Sequence, residues 1–255
     1  MTTRLTRRPV SAFTLRHGDD NLILAQRLAE WISRAPELEE DIALANVALD
    51  HLGVSQLLLT NAAETGAAGE TDDDLAFLRS EREFSNLLLV EQPNGDFAVT
   101  MARQLLFDAY QLGFWEGLSA SKDEMLAAIS AKALKESGYH FRHSAGWVIR
   151  LGDGTDESHT RMQAGLDSMW RFTEEMFAMD DLDRELAASG VGVDLAPLED
   201  PWRNRVGSVI EEATLTVPSD PFQRIGGRSG EHTEHLGHLL TEMQWLQRTH
   251  PGLDW

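Results

Sequence analysis

Lys132, Glu136, Tyr139 and His143 are spaced so that a helix would place all four on one stripe. An ammonium, a carboxylate, a phenol and an imidazole then stand where a core-facing helix should carry Leu or Val. Together they could hold a cation, relay a proton or form an ion-pair network. Two more carboxylates sit against apolar rhythms. Asp50 lies beside Leu49 in the series Leu38, Ile42, Ala45, Leu49, Leu52, Leu59, which reads as the seam of a packed helix, with Gln56 as its one polar member. Asp108 fills the middle slot of Met101, Leu105, Leu112, Trp115. A lone charge on a core face is costly unless it is paired or bound to metal. The pattern predicts a functional site, or the remains of one.

In ferritin-like bundles such carboxylates have a specific chemistry. A Glu from each of two helices and a Glu-x-x-His pair from each of two others converge on a pair of irons. Set against that template, the sequence offers Asp50-x-x-Gly53 and Glu136-x-x-Tyr139 as the pairs and Asp108 as a single carboxylate, while the first helix has only Gln26 or Glu30. Both template histidines are absent. His51 and His140 each lie one residue, about 100° of helix rotation, from a useful direction. His143 shares the stripe but stands two turns beyond Glu136. The spacing predicts a degenerate di-iron set that holds no metal. Lys132, four residues before Glu136, is the expected charge replacement, its ammonium pairing with Glu136 and Asp108. The alternative is that these groups reach solvent.

The elements that must position them are helices. Periodic stretches run over about 21–34, 38–59, 72–89, 101–115, 122–151, 156–179 and 232–248. Ala35-Pro36, Gln92-Pro-Asn-Gly95, Leu151-Gly-Asp-Gly154 and Val217-Pro-Ser-Asp-Pro221 supply turn chemistry, and Thr155 is placed to cap a helix. Residues 65–74 read as a small-residue acidic loop. Residues 1–12 read as a loose tail and 13–255 as a single all-α, ferritin-like helical bundle. Within it, 191–230 form an irregular arm and 231–248 an added C-terminal helix.

Composition narrows the function. The chain has 255 residues, enough for a large core, and no cysteine, which removes disulfides, thiolate metal sites and cysteine nucleophiles. A formal charge of −20 argues against nucleic acid and favours solubility or steering toward a basic protein surface. No uninterrupted apolar run of membrane-spanning length and no signal-peptide core stand out, so a cytoplasmic protein without a membrane partner is expected.

Several tempting motifs have plain readings. His232, His235 and His238 recur every three residues, but such a run spreads over about 240° of a helix and does not converge on one ion. Gly226-Gly-Arg-Ser-Gly230 lacks the Gly-Lys-Ser/Thr ending of a phosphate loop. Arg203, Arg205, Arg224 and Arg228 could meet an acidic surface or a coenzyme A phosphate, with ordinary solvation as the plain alternative. Of the seven Trp, Trp147 and Trp170 fall within periodic helices. Trp202, in the irregular arm beside Arg203 and Arg205, is the better interface anchor, with His235 as a further contact candidate.

Five blocks carry a family resemblance. They are Ala12-Phe-Thr-Leu-Arg-His-Gly-Asp19, Ile42-Ala-Leu-Ala-Asn-Val-Ala-Leu-Asp50, Phe84-Ser-Asn-Leu-Leu-Leu-Val-Glu-Gln-Pro-Asn-Gly95, Lys132 to His140, and His232-Thr-Glu-His-Leu-Gly237 with Glu242-Met-Gln244. From about Phe13 to Trp255 the chain resembles the structural, iron-lacking C subunits of bacterial phenylacetyl-CoA epoxidases. His51 and Val54-Ser55 depart from the family pattern without restoring a ligand pair. The resemblance implies a ferritin-like, non-catalytic subunit with no cofactor of its own. It also implies a hetero-oligomer with a homologous di-iron subunit and other components of the complex. A reductase would deliver electrons from NADPH, and the aromatic ring of phenylacetyl-CoA would be epoxidised during phenylacetate catabolism. The residues leave two other readings open: a di-iron oxygenase in its own right, using Asp50, Asp108, Glu136 and a nearby His, and a regulatory bundle that binds an acyl-CoA.

Overall fold

A computed structural model describes residues 8–66, 71–219 and 222–253, and among them every regular element is helical. Pro9 opens the first helix, α1 (Pro9–Ala29), at a position where its missing N–H costs nothing. Four of the twelve residues expected to be loose, Pro9 to Ala12, are therefore helical, and Ser11 is anchored by donating to the Ala62 carbonyl at 2.7 Å. Residues 1–7 lie outside the described residues. The start of α1 escapes the apolar pattern because its buried positions include Thr14, Arg16, His17, Asp19, Asp20 and Asn21.

Eleven α-helices follow one another among the described residues. After α1 come α2 (Leu38–Thr65), α3 (Asp72–Phe77), α4 (Leu88–Glu91), α5 (Phe97–Leu118) and α6 (Glu124–Gly152). The chain continues through α7 (Asp156–Trp170), α8 (Asp181–Ser189), α9 (Glu199–Glu212), α10 (Glu234–Met243) and α11 (Trp245–Thr249). The four long helices α1, α2, α5 and α6 form the bundle. Contacts between Ser11 and Ala62, and between Asn21 and His51, set α1 antiparallel to α2. Asn21 with Gln111 and Trp31 with Thr100 set α1 antiparallel to α5. Ser144 with Asp108 and Ser137 with Gln111 do the same for α5 and α6. So α1 and α6 run one way and α2 and α5 the other, with a long crossover between α2 and α5. One such crossover is the arrangement expected of a ferritin-like bundle.

That crossover, expected as one helix over 72–89, is instead two short helices and a 3-10 turn at Glu81–Glu83. Buried polar bonds hold it. Glu91 accepts from Asn86 Nδ2, His232 Nδ1, Thr233 N and Thr233 Oγ1, at 2.7–2.9 Å. Asp19 pairs with Arg79, and Asp20 with Arg228 at 2.7 Å. Glu175 accepts from the backbone N–H groups of Leu88, Gly226 and Gly227. A Cβ on Gly227 would sit 2.1 Å from the Asn86 carbonyl oxygen, so only glycine lets the two segments meet. The family blocks 84–95 and 232–237 thus lie on the two sides of one internal joint.

The expected irregular arm is partly ordered helix. Residues 199–212 form α9, and Trp202 is 1% exposed, packed against Trp170 and Phe177 while its Nε1 donates to the Leu106 carbonyl at 2.9 Å. It is a core residue, not an exposed anchor. The sequence hides this because α9 carries Glu199, Asp200, Arg203, Asn204 and Arg205 around few apolar positions. The last two predicted spans also shorten: the helix expected over 156–179 ends at Trp170, and that over 232–248 breaks at Gln244 into α10 and α11.

Helix α2 reverses an expectation. Leu38, Ile42, Leu49 and Leu52 are exposed at 72%, 56%, 63% and 41%, so most of the supposed seam faces outward, although Leu59 is buried. The core face is the opposite one, formed by Leu44, Val47, Ala48, His51, Val54, Ser55 and Leu58. α2 carries apolar residues on both its inner and its outer face. By length and composition it could cross a membrane, with a mean hydropathy of 1.5 over its best window, contrary to the sequence expectation. Its inner side is committed to the bundle through Ser55 Oγ, which donates to the Gly18 carbonyl, and through His51.

Candidate functional site

The polar stripe of α6 does not point into the bundle. Lys132 and Tyr139 are exposed, and Glu136 and His143 are half-buried where α6 meets α2. His143 Nε2 lies 2.8 Å from Glu40 Oε2, and the Tyr139 ring stacks on His143. Lys132 Nζ is 2.9 Å from Glu136 Oε1, as expected, but it forms no ion pair with Asp108. Half of the Lys132 side chain is exposed, so this pair contributes little to stability. Gly53 lies under the Lys132 ammonium, 3.8 Å from where a Cβ would be. The degenerate set Asp50, Gly53, Glu136 and Tyr139 is therefore a rim feature, and Asp108 is separate from it.

Asp108 is 1% exposed on α5, and its neighbours are the two histidines that the ligand template excludes. His51, Asp108 and His140, one from each of α2, α5 and α6, each bring a potential ligand atom within 4.8 Å of the others. All three are buried. Ser144 Oγ donates to Asp108 Oδ2 at 2.7 Å, while Oδ1 has no partner. His140 Nε2 lies 3.0 Å from Asp50 Oδ2, and its Nδ1 has no partner. His51 Nδ1 lies 2.8 Å from Asn21 Oδ1, and its Nε2 has no partner.

The hydrogen bonds fix the tautomers. Asn21 donates through Nδ2 to the His17 carbonyl and accepts through Oδ1 from Gln111 Nε2. His51 Nδ1 must then be the protonated nitrogen, and neutral His51 presents a bare Nε2. A carboxylate accepts only, so His140 Nε2 carries the proton toward Asp50 and Nδ1 is bare. Burial, aided by the charges of His140 and Arg103, holds His51 well below the usual imidazole range. Burial also lowers His140 against the opposing pull of Asp50 and Glu136. Burial pushes Asp108 up to about 8, outweighing the Ser144 hydrogen bond and the charge of Arg103.

Two irons do not fit this set. The template supplies four carboxylates and two histidines, whereas here one carboxylate and two imidazoles converge and Asp50 and Glu136 are engaged at the rim. The signal that could have revealed the cluster was the inner face of α2. Once Leu44, Val47, Val54 and Leu58 are taken as core, His51 falls among them.

The remaining candidates disperse. Arg203 pairs with Glu199 on its own helix, and Arg205 donates to the Ala109 carbonyl at 3.2 Å. Arg228 is held by Asp20, and the His235 carbonyl accepts from Arg27. Neither a phosphate cradle nor a histidine ladder assembles from these residues.

Comparison with known proteins adds what geometry alone does not. The family model described as phenylacetic acid catabolic protein matches residues 1–255. The chain belongs to that family. It is 53% identical over 247 residues to the C subunit of 1,2-phenylacetyl-CoA epoxidase from Escherichia coli (strain K12), spanning 96% of this chain and 99% of the relative. The family assignment covers both sides of the internal joint, the α2 face and the buried cluster.

Proposed function

We propose that the chain is the non-catalytic, structural subunit of a phenylacetyl-CoA epoxidase in phenylacetate catabolism. It pairs with and stabilises a di-iron subunit that epoxidises the aromatic ring, and electrons reach that subunit from NADPH through a reductase. This reading is carried by the near end-to-end likeness to a protein named as the C subunit of such an epoxidase. The absence of converging Glu-x-x-His pairs supports it, because a dinuclear oxygenase needs them.

The outer face of α2 gives the pairing a surface. Leu38, Ile42, Leu49 and Leu52 form an exposed apolar stripe on α2, and Met125 and Tyr139 of α6, which packs against α2, are themselves about half exposed. Exposed apolar patches with polar edges mark protein contacts. Such a contact orders a partner's helices without touching the chemistry.

The test is co-purification with the di-iron subunit, using the parent chain and an Ile42→Glu, Leu49→Glu double variant. The parent is expected to form a stable complex, and the variant to bind at least about tenfold more weakly, one charge in an interface core costing more than ~1.4 kcal/mol. A parent chain that stays alone, or one that epoxidises phenylacetyl-CoA without the partner, would overturn the proposal. Full binding by the variant would move the contact off α2.

A further inference from the structure

We propose that His51, Asp108 and His140 form a binding site for one divalent transition-metal ion, which bolts α2, α5 and α6 together in the centre of the bundle. This goes beyond pairing with a di-iron subunit and does not depend on it.

The argument starts from unspent atoms. His51 Nε2, His140 Nδ1 and Asp108 Oδ1 are buried and have no hydrogen-bond partner, and each belongs to one of the three residues that converge within 4.8 Å. The tautomers fixed by Asn21 and Asp50 make both nitrogens lone-pair bearers. The three atoms therefore meet without a hydrogen bond between any two of them. Buried polar groups are otherwise nearly always satisfied. A proton on Asp108 could serve one imidazole and would leave the other bare. A water could donate to only two of the three. One cation satisfies all three at once.

Nearby cations are already used. The guanidinium of Arg103 donates to the Gln92 carbonyl and to Asn94 Oδ1, at 2.8 Å each. Lys132 lies at the rim on Glu136. Neither makes an ion pair with Asp108.

The surroundings have the form of a metal site's outer shell. Ligating histidines usually hold their second nitrogen on a carboxylate or amide oxygen, and ligating carboxylates are themselves hydrogen-bonded. Here Asp50 holds His140, Asn21 holds His51 and Ser144 holds Asp108. Two imidazoles and one carboxylate, with no thiolate in the chain, suit Zn2+, Fe2+ or Co2+ over Mg2+ or Ca2+. With three protein ligands, solvent would complete the coordination.

Cobalt is the probe, because its visible absorption reports nitrogen and oxygen coordination directly. The purified full-length chain, stripped with a chelator and dialysed, is titrated with Co2+ under anaerobic conditions and then desalted. The expected result is one Co2+ per chain, a visible band and a raised melting temperature. His51→Gln and Asp108→Asn should abolish retention. Asp50→Asn, which leaves all three ligands in place, should weaken binding by about 10–100-fold. That third variant keeps the test decisive if replacing a buried ligand prevents folding, as judged by circular dichroism.

Failure of the parent chain to retain cobalt would overturn the proposal. So would equal retention by His51→Gln, which would place the ion on surface histidines, or two ions per chain, which would mean a dinuclear centre. None of these readouts uses the partner subunit, so failure here leaves the proposed pairing standing.

Discussion

His17 shows how one residue of α1 couples the fold to acidity. Its ring lies between Phe13 and Phe114, with centroids 4.6 and 4.3 Å away, and burial holds its pKa down to about 4 despite the neighbouring Asp20. The unfolded chain takes up this proton near pH 6.5 and the folded chain only near 4, so the unfolded state binds more protons between those values. Stability is present above pH 6.5 and is lost as the pH falls to 4, by about 3 kcal/mol from this group. Denaturant titrations of the parent and His17→Gln from pH 7 to 4 are expected to show a shallower acid slope for the variant. Equal slopes would assign the loss to other groups. Neither the burial nor the slope could be read from the sequence, where His17 sits among Arg16, Asp19 and Asp20 in what reads as a polar stretch.

At the scale of elements, what was legible and what was not have one physical explanation. Apolar periodicity located α2, α5 and α6 because each carries a recurring set of buried aliphatic or aromatic residues, although Ser130, Ser137, His140 and Ser144 interrupt it in α6. It chose the wrong side of α2, since a helix apolar on both faces carries two stripes and only packing selects the inner one. It missed the first half of α1, whose burial rests largely on polar networks, and all of α9, which buries Trp202 with only Val206, Val209 and Ile210. For the site, the sequence pointed to Asp108, Glu136 and Lys132, but the template set aside His51 and His140, which meet Asp108. The weight placed on α9 can be measured. Trp202→Ala removes a fully buried indole and its bond to the Leu106 carbonyl, and is expected to cost about 3–5 kcal/mol. A loss below ~1 kcal/mol in chemical unfolding would show that α9 is a surface appendage.

Charge and shape act together over the whole molecule. The chain carries a formal charge of −20, yet the outer face of α2 is apolar along much of its length. Long-range repulsion keeps copies apart, while a partner with a basic surface is drawn in before the apolar contact forms. Association with the proposed di-iron partner, measured by stopped-flow fluorescence, is therefore expected to slow by about tenfold or more between low and high salt, with much less change in dissociation. A rate independent of salt would mean that the charge serves solubility alone.

The joint between residues 86–91 and 226–233 also sets a timetable. Asp20 and Glu91 are buried in the finished molecule by partners, Arg228, His232 and Thr233, that lie more than a hundred residues later in the chain. During synthesis the four long helices leave the ribosome while these carboxylates still lack their counterparts, and burying them then would strand charge. Closure of the bundle must wait for the last fifth of the chain. A chain cut before Arg228 is therefore expected to leave this lock open and to be cleaved by protease faster than the full sequence.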